Sequence, residues 1–154
     1  MRFVLIDRLL ELEPGKRALA TRTFAPEDDV FLDHFPGFPV VPGVLLTEAM
    51  GQTGGWLLSA TLGFTRWPLL SLVERATFRR FVRPGEELTL EATLKGRHDD
   101  DFEVRAEARV GESRAADARL LFHAFTPDVS LEDSERFQAW GRETFRRLGG
   151  EALL

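Results

Sequence analysis

The chain has 154 residues, enough for one domain whose core takes about two-thirds of the unfolded surface out of water. Its 44% apolar and 29% charged residues exclude a disordered or collagen-like chain, and the lack of cysteine excludes disulfides, cysteine-based zinc sites and thiol nucleophiles. A net charge of −5 argues against nucleic-acid binding through bulk positive charge. Only the run Phe3–Ile6 precedes Asp7, too short for the core of a signal peptide, so a cytoplasmic protein is expected.

In chain order, VLIDRLLEL and RALATRTF flank the turn Glu13-Pro14-Gly15-Lys16 and predict a hairpin. From Pro42 to Leu62 comes a helix, with Pro42 suited to the first helical position, where its missing N–H is not needed. Leu45, Leu46, Ala49, Met50, Trp56, Leu57, Leu58 and Ala60 surround it on every side, which predicts a buried helix. The run approaches the ~20 residues of a membrane span. Glu48 and Gln52 in mid-helix, with strand-like sequence on both flanks, argue against one. Gly51, Gly54 and Gly55 are expected to let backbones approach closely.

A third strand is expected over residues 70–82, before the turn signal Pro84-Gly85. Leu88, Leu90, Ala92 and Leu94 then alternate with polar residues. So do Phe102, Val104, Ala106, Ala108 and Val110 and, past Gly111-Glu112, Ala116, Ala118, Leu120, Phe122 and Ala124. These runs form an antiparallel meander with one wet face. The fold class is α+β, a sheet of about six antiparallel strands wrapped around one long central helix. Ser130 to Asp133 resembles a capping box, and Phe137, Trp140, Phe145 and Leu148 predict an amphipathic C-terminal helix packed on the domain or on a sister subunit. The expected division is a domain over 1–127 and a helical extension over 128–154.

Three histidines are present. His98 lies in a charged loop and His123 on the polar side of the last strand, where solvated or structural roles suffice. His34 differs, because Pro36, Pro39 and Pro42 stiffen the loop that carries it, a sign of a positioned side chain. Glu48 sits six residues past Pro42, about 9 Å along the helix. A lone carboxylate that deep costs several kcal/mol unless it is paired or protonated. One base and one acid facing an apolar site meet the requirement for removing a C–H proton and protonating a departing hydroxyl. The free N–H groups of Gly43 and Val44 at the helix start suit a developing enolate oxygen. A nucleophile elbow, a Walker loop, a His-Glu-x-x-His motif and a dinucleotide fingerprint are all missing. His34 and Glu48 alone make a poor metal site.

The stretch DHFPGFPVVPGVLLTEAMGQ, residues 33–52, together with LIDRLLELEPGKRA and FRRFVRPGEEL, resembles the FabZ-type 3-hydroxyacyl-[acyl-carrier-protein] dehydratases, a hotdog-fold family, over roughly residues 3–125. The resemblance implies dehydration of a (3R)-3-hydroxyacyl thioester, with His34 as base and Glu48 as acid drawn from different subunits of a dimer. It implies that Gly43 N–H polarises the thioester carbonyl, with Val44 and Phe35 beside it. It also implies a continuous-sheet dimer, often a trimer of dimers, and no metal or organic cofactor. The substrate arrives on the phosphopantetheine of an acidic acyl carrier protein, for which Arg75, Arg79 and Arg83 on one side of the third strand, and Arg80 opposite, are candidate contacts. A hotdog thioesterase and a non-catalytic acyl-binding module are the alternatives.

Three features depart from the family pattern. Asp33 stands where the family has glycine, and Leu72-Val73-Glu74 stands where it has Gly-Ile-Asp. The helix beyond Pro127 is the third. A branch devoted to long or lipid A-type acyl chains has similar tails and similar Pro-Val-Val-Pro-Gly-Val-Leu-Leu wording.

Overall fold

The computed structural model describes residues 3–126 and 131–154. The expected capping residue Ser130 and the expected boundary after Pro127 lie outside the described residues. Two strands, β1 (Arg8–Glu13) and β2 (Arg17–Thr23), form the predicted hairpin, closed by Lys16 N–H donating to Glu13 C=O at 2.9 Å and by Gly15 at φ 78°. A four-residue helix α1 (Val30–Asp33) precedes the central helix α2 (Gly43–Thr61). Strands β3 (Trp67–Phe78), β4 (Glu87–His98), β5 (Asp101–Val110) and β6 (Ser113–Phe125) follow, then α3 (Leu131–Arg147) and a short 3₁₀ turn over Gly150–Leu153.

The six strands make one antiparallel sheet in the order β1-β2-β4-β5-β6-β3. The alternation read from sequence decides which face is covered. Leu88, Leu90 and Ala92 of β4, Phe102, Val104 and Ala106 of β5 and Leu120 and Phe122 of β6 are buried, and so are Leu46, Ala49, Met50, Leu57 and Leu58 of α2. Burial of each large aliphatic side chain contributes about 1.5–3 kcal/mol. Among the described residues no helix is long and apolar enough to cross a membrane.

Three sequence expectations change. Pro42 caps the helix rather than opening it, with φ −56° and ψ 135°. The helix is not buried all round: Val44 is 73% exposed, and Glu48, Gln52, Gly55 and Ser59 are half-buried on one face. Of the three helix glycines only Gly54 serves close approach, since a Cβ there would lie 3.2 Å from Phe122 and Val104. A Cβ on Gly51 would meet Leu70 at an ordinary 3.7 Å, and one on Gly55 would meet nothing within 4 Å.

The third strand also shifts, running from Trp67 to Phe78 instead of over 70–82. Past Phe78 the chain leaves the ladder: Arg79 and Arg80 N–H both turn to Ala115 C=O, and Val82 C=O accepts from Val41 N–H at 2.7 Å. Register shifts at Leu70/Leu72 and Val73/Arg75 mark bulges at Ser71 and Glu74, so the strand bends where its wording departs from the family pattern. As an edge strand β3 leaves Leu69, Leu70, Leu72 and Val73 exposed. At the other edge, Leu9 N–H of β1 donates to Leu148 C=O at 2.8 Å, so the chain's end covers β1.

Candidate active site

His34 lies just past α1 and is half-buried. Its C=O accepts from Val40 N–H at 3.0 Å, and its Nδ1 lies 3.0 Å from Val40 C=O. A carbonyl can only accept, so Nδ1 carries the proton and Nε2 presents its lone pair. Phe35 and Phe38 exchange backbone hydrogen bonds across the turn at Gly37, whose φ of 77° requires glycine, and the Phe35 ring stacks on His34 with centroids 4.1 Å apart. Proline spacing in the sequence had marked this loop as ordered; what orders it is the pair of links to Val40. Asp33 is exposed.

Val41, tied to Val82, leads into Pro42 and α2. At the helix start Pro42 C=O accepts from Leu45 N–H at 3.0 Å, and the N–H groups of Gly43 and Val44 belong to the first turn, which has no intrahelical acceptors. A Cβ on Gly43 would lie 3.0 Å from the Phe78 ring, so glycine is what lets β3 close over the helix start. Phe35 and Val44 are exposed.

Glu48 is half-buried rather than sealed in the core. Its Oε1 accepts from Gln52 Nε2 at 3.0 Å, and Gln52 in turn donates to Phe3 C=O and accepts from Leu5 N–H at 2.8 Å. In the sequence Gln52 stood out only as a second polar residue in mid-helix; its bond to Glu48 and its hold on the N-terminal segment were not legible there. Glu48 opens onto a mostly apolar cavity of about 350 Å³. The α2 wall is Glu48, Gly51, Gln52, Gly55, Trp56 and Ser59, a spacing that traces one helix face. The first residues of β3, Trp67 to Leu70, form a second wall. Phe137, Trp140 and Gly141 of α3 form a third. His34 does not line this cavity, so within one chain the two candidate catalytic side chains do not share it.

Arg75, Arg79 and Arg83 do not line one side of a strand with Arg80 opposite, because β3 ends at Phe78. Arg79 Nε donates to Asp117 at 2.6 Å and Arg80 Nη2 to Glu86 at 2.6 Å. Arg75 Nε donates to Thr77 Oγ1 at 3.3 Å. The Arg83 guanidinium lies 4.7 Å from the centroid of the Phe38 ring, which puts it beside the His34 loop. Glu86 accepts from Arg83 N–H and from Arg80, and these bonds, the backbone one first, hold its carboxyl below the usual glutamate range against the opposing effect of burial. His123 Nδ1 lies 2.7 Å from Asp101 Oδ1 on the outer face, and His98 is exposed beside Asp99, so neither joins the site. Among the described residues no three His, Asp or Glu gather as metal ligands would.

The FabA-like domain family matches residues 1–119. Curated 3-hydroxyacyl-[acyl-carrier-protein] dehydratases named FabZ are similar over most of their length. The one from Moorella thermoacetica is 42% identical over 124 residues, 78% of this chain and 85% of the relative. The one from Desulforamulus reducens is 40% identical over 121 residues, again 78% and 85%. The chain belongs to the FabZ-type dehydratase family. Among solved structures, a conserved protein from Pseudomonas aeruginosa superposes with a TM-score of 0.64 at 24% identity, covering 77% of this chain and 87% of the other. A dehydratase heterocomplex from Xenorhabdus doucetiae superposes at 0.58 and 19% identity, covering 75% and 98%. These likenesses show the hotdog fold. The FabA-like match stops at residue 119, so α3 lies outside the part of the chain that carries it.

Proposed function

We propose that this protein removes water from (3R)-3-hydroxyacyl thioesters borne on acyl carrier protein, giving the trans-2-enoyl thioester in fatty acid or lipid biosynthesis. The observation that carries the reading is His34, held through Nδ1 by Val40 C=O with Nε2 left as a base, within a chain of FabZ-type sequence. Nε2 takes the C2 proton while the electron pair moves onto the thioester oxygen, which Gly43 and Val44 N–H stabilise as an enolate. The enolate collapses, the C3–O bond breaks, and the Glu48 carboxyl gives the proton that lets the hydroxyl leave as water. Transfer of the proton from His34 back to Glu48 resets the site. No step calls for a metal or an organic cofactor.

Because His34 is not on the Glu48 cavity, the reading pairs His34 of one protomer with Glu48 of its partner. Two observations support a dimer: β3 is an edge strand, and its exposed Leu69, Leu70, Leu72 and Val73 are the kind of apolar edge that soluble proteins cover. Arg83, beside the His34 loop and over Phe38, is the arginine of the four best set to meet an acidic carrier. Arg83→Glu would raise KM for carrier-borne substrate and leave that for a free pantetheine thioester unchanged; an equal rise in both would remove Arg83 from this role.

Mass spectrometry of (3R)-3-hydroxyacyl carrier protein incubated with the enzyme tests the reaction. Loss of one water from the acyl group is expected. Free carrier thiol without enoyl product would make the protein a thioesterase, and binding without product an acyl-binding module.

A further inference from the structure

The dehydratase reading leaves α3 without a role, and two glycines without a structural reason. Gly55 of α2 and Gly141 of α3 both lie inside helices, where glycine costs about 0.8–1.0 kcal/mol relative to alanine. Neither is needed for backbone approach, since a Cβ on either would meet nothing within 4 Å. Both line the cavity that opens at Glu48, so the space their missing side chains leave belongs to the cavity.

The direction of that cavity follows from the fold. Gly43 packs under Phe78 at one end of β3, and Gly51 faces Leu70 nearer the other, so α2 and β3 run antiparallel with the cavity between them. Along α2 it extends from Glu48 to Ser59. That is about 16 Å at 1.5 Å per residue. At its far end α3 is fastened by aromatic contacts. Phe137 lies 3.6 Å from Trp67 between ring centroids, Phe145 lies 4.9 Å from Phe64, and Phe145 itself is buried. Gly150 leaves room for that ring, since a Cβ there would lie 2.3 Å from it.

We propose that α3 is the chain-length gauge of this enzyme: Phe137, Trp140 and Gly141 wall the distal part of an acyl subsite that begins at Glu48. The inference rests on the dehydratase reading for the identity of the occupant. The length of the cavity sets the size of its occupant. An extended chain covers about 3.3–3.6 Å per three backbone bonds, so 16 Å takes roughly a dozen or slightly more. The subsite therefore fits an apolar acyl chain of roughly a dozen carbons beyond the reacting centre.

All three tryptophans of the chain, Trp56, Trp67 and Trp140, line the cavity, so their fluorescence reports occupancy directly. The test titrates the full-length protein with 3-hydroxyacyl-pantetheine thioesters graded from short to very long, and measures kcat/KM on the same series. Wild type should bind more tightly as the chain lengthens, up to the size above, and then no further. Gly141→Leu puts a side chain into the cavity from a strong helix former. It should move the cut-off several carbons shorter and lower the ratio of kcat/KM for long over short substrates at least tenfold, while Trp140→Ala moves both the other way. An unchanged length profile in a folded Gly141→Leu protein, in binding and in turnover alike, would overturn the assignment and leave the dehydratase reading standing. A shifted binding profile with no turnover of any substrate would do the reverse.

Discussion

His34 and Val40 are tied to each other twice, backbone to backbone and ring nitrogen to carbonyl, each link 3.0 Å long. The loop between them is thereby closed into a frame that sets both the place and the tautomer of the imidazole. For the neutral ring of His34 a long-range proton–nitrogen NMR spectrum should show the proton on Nδ1 and none on Nε2, and the opposite tautomer would contradict the assignment. His34→Ala should lower kcat by the ~10²–10⁴ typical of a general base, with little change in melting temperature.

Gln52 joins the acid to the N-terminal segment, bonding Glu48, Phe3 C=O and Leu5 N–H at once. The bond orients the Glu48 carboxyl, and a typical hydrogen bond contributes about 0.5–1.5 kcal/mol. Gln52→Ala should therefore reduce kcat by roughly two- to tenfold, with KM much less affected, and should also lower the melting temperature because Leu5 N–H loses its acceptor. A change confined to stability would make Gln52 structural only.

Adjacent glycines in α2 should respond in opposite ways. Gly54→Ala presses a methyl to 3.2 Å from Phe122 and Val104 and should destabilise by about 1–3 kcal/mol. Gly55→Ala points into open space and should gain up to ~1 kcal/mol from helix propensity. Urea unfolding of the two variants side by side checks the contrast.

Glu86 gives a pH dependence whose sign can be worked out. Its carboxylate accepts Arg83 N–H and an Arg80 bond, so its folded pKa lies below the unfolded value of about 4.3. The stability it contributes is present above the unfolded value and is lost as pH falls through the folded one. Glu86→Gln should be less stable than wild type at neutral pH, and the gap should narrow as pH drops below ~4. Urea midpoints at several pH values measure it, and a gap that widens on acidification would contradict the sign.

Much of the fold was legible because the meander repeats a period of two over three strands, and Leu88, Phe102 and Leu120 all fall on the covered face. The β3 boundary was not, because strand-like wording continues to Val82 while the ladder ends at Phe78 opposite Ala116, past which Arg79 and Arg80 N–H both turn to the one Ala115 C=O. His34 and Glu48 could be picked out by type, proline spacing and an isolated carboxylate. That they do not share a cavity within one chain is a fact of topology that no local pattern carries. Gly55 looked like a packing glycine beside Gly54, since sequence spacing cannot tell a crowded helix face from an empty one. The aromatic spacing of α3 announced a packed helix, and only the fold showed that Phe137 and Trp140 meet the cavity of Glu48.

The central claim is that His34 and Glu48 act on one substrate from different protomers, and subunit mixing tests it most directly. His34→Ala and Glu48→Gln proteins should each be nearly inactive alone. After co-refolding in equal amounts, half the two-fold dimers carry both kinds of chain and one intact site, so about a quarter of wild-type dehydration should return. No recovery, with mixed dimers demonstrated by mass, would contradict the account.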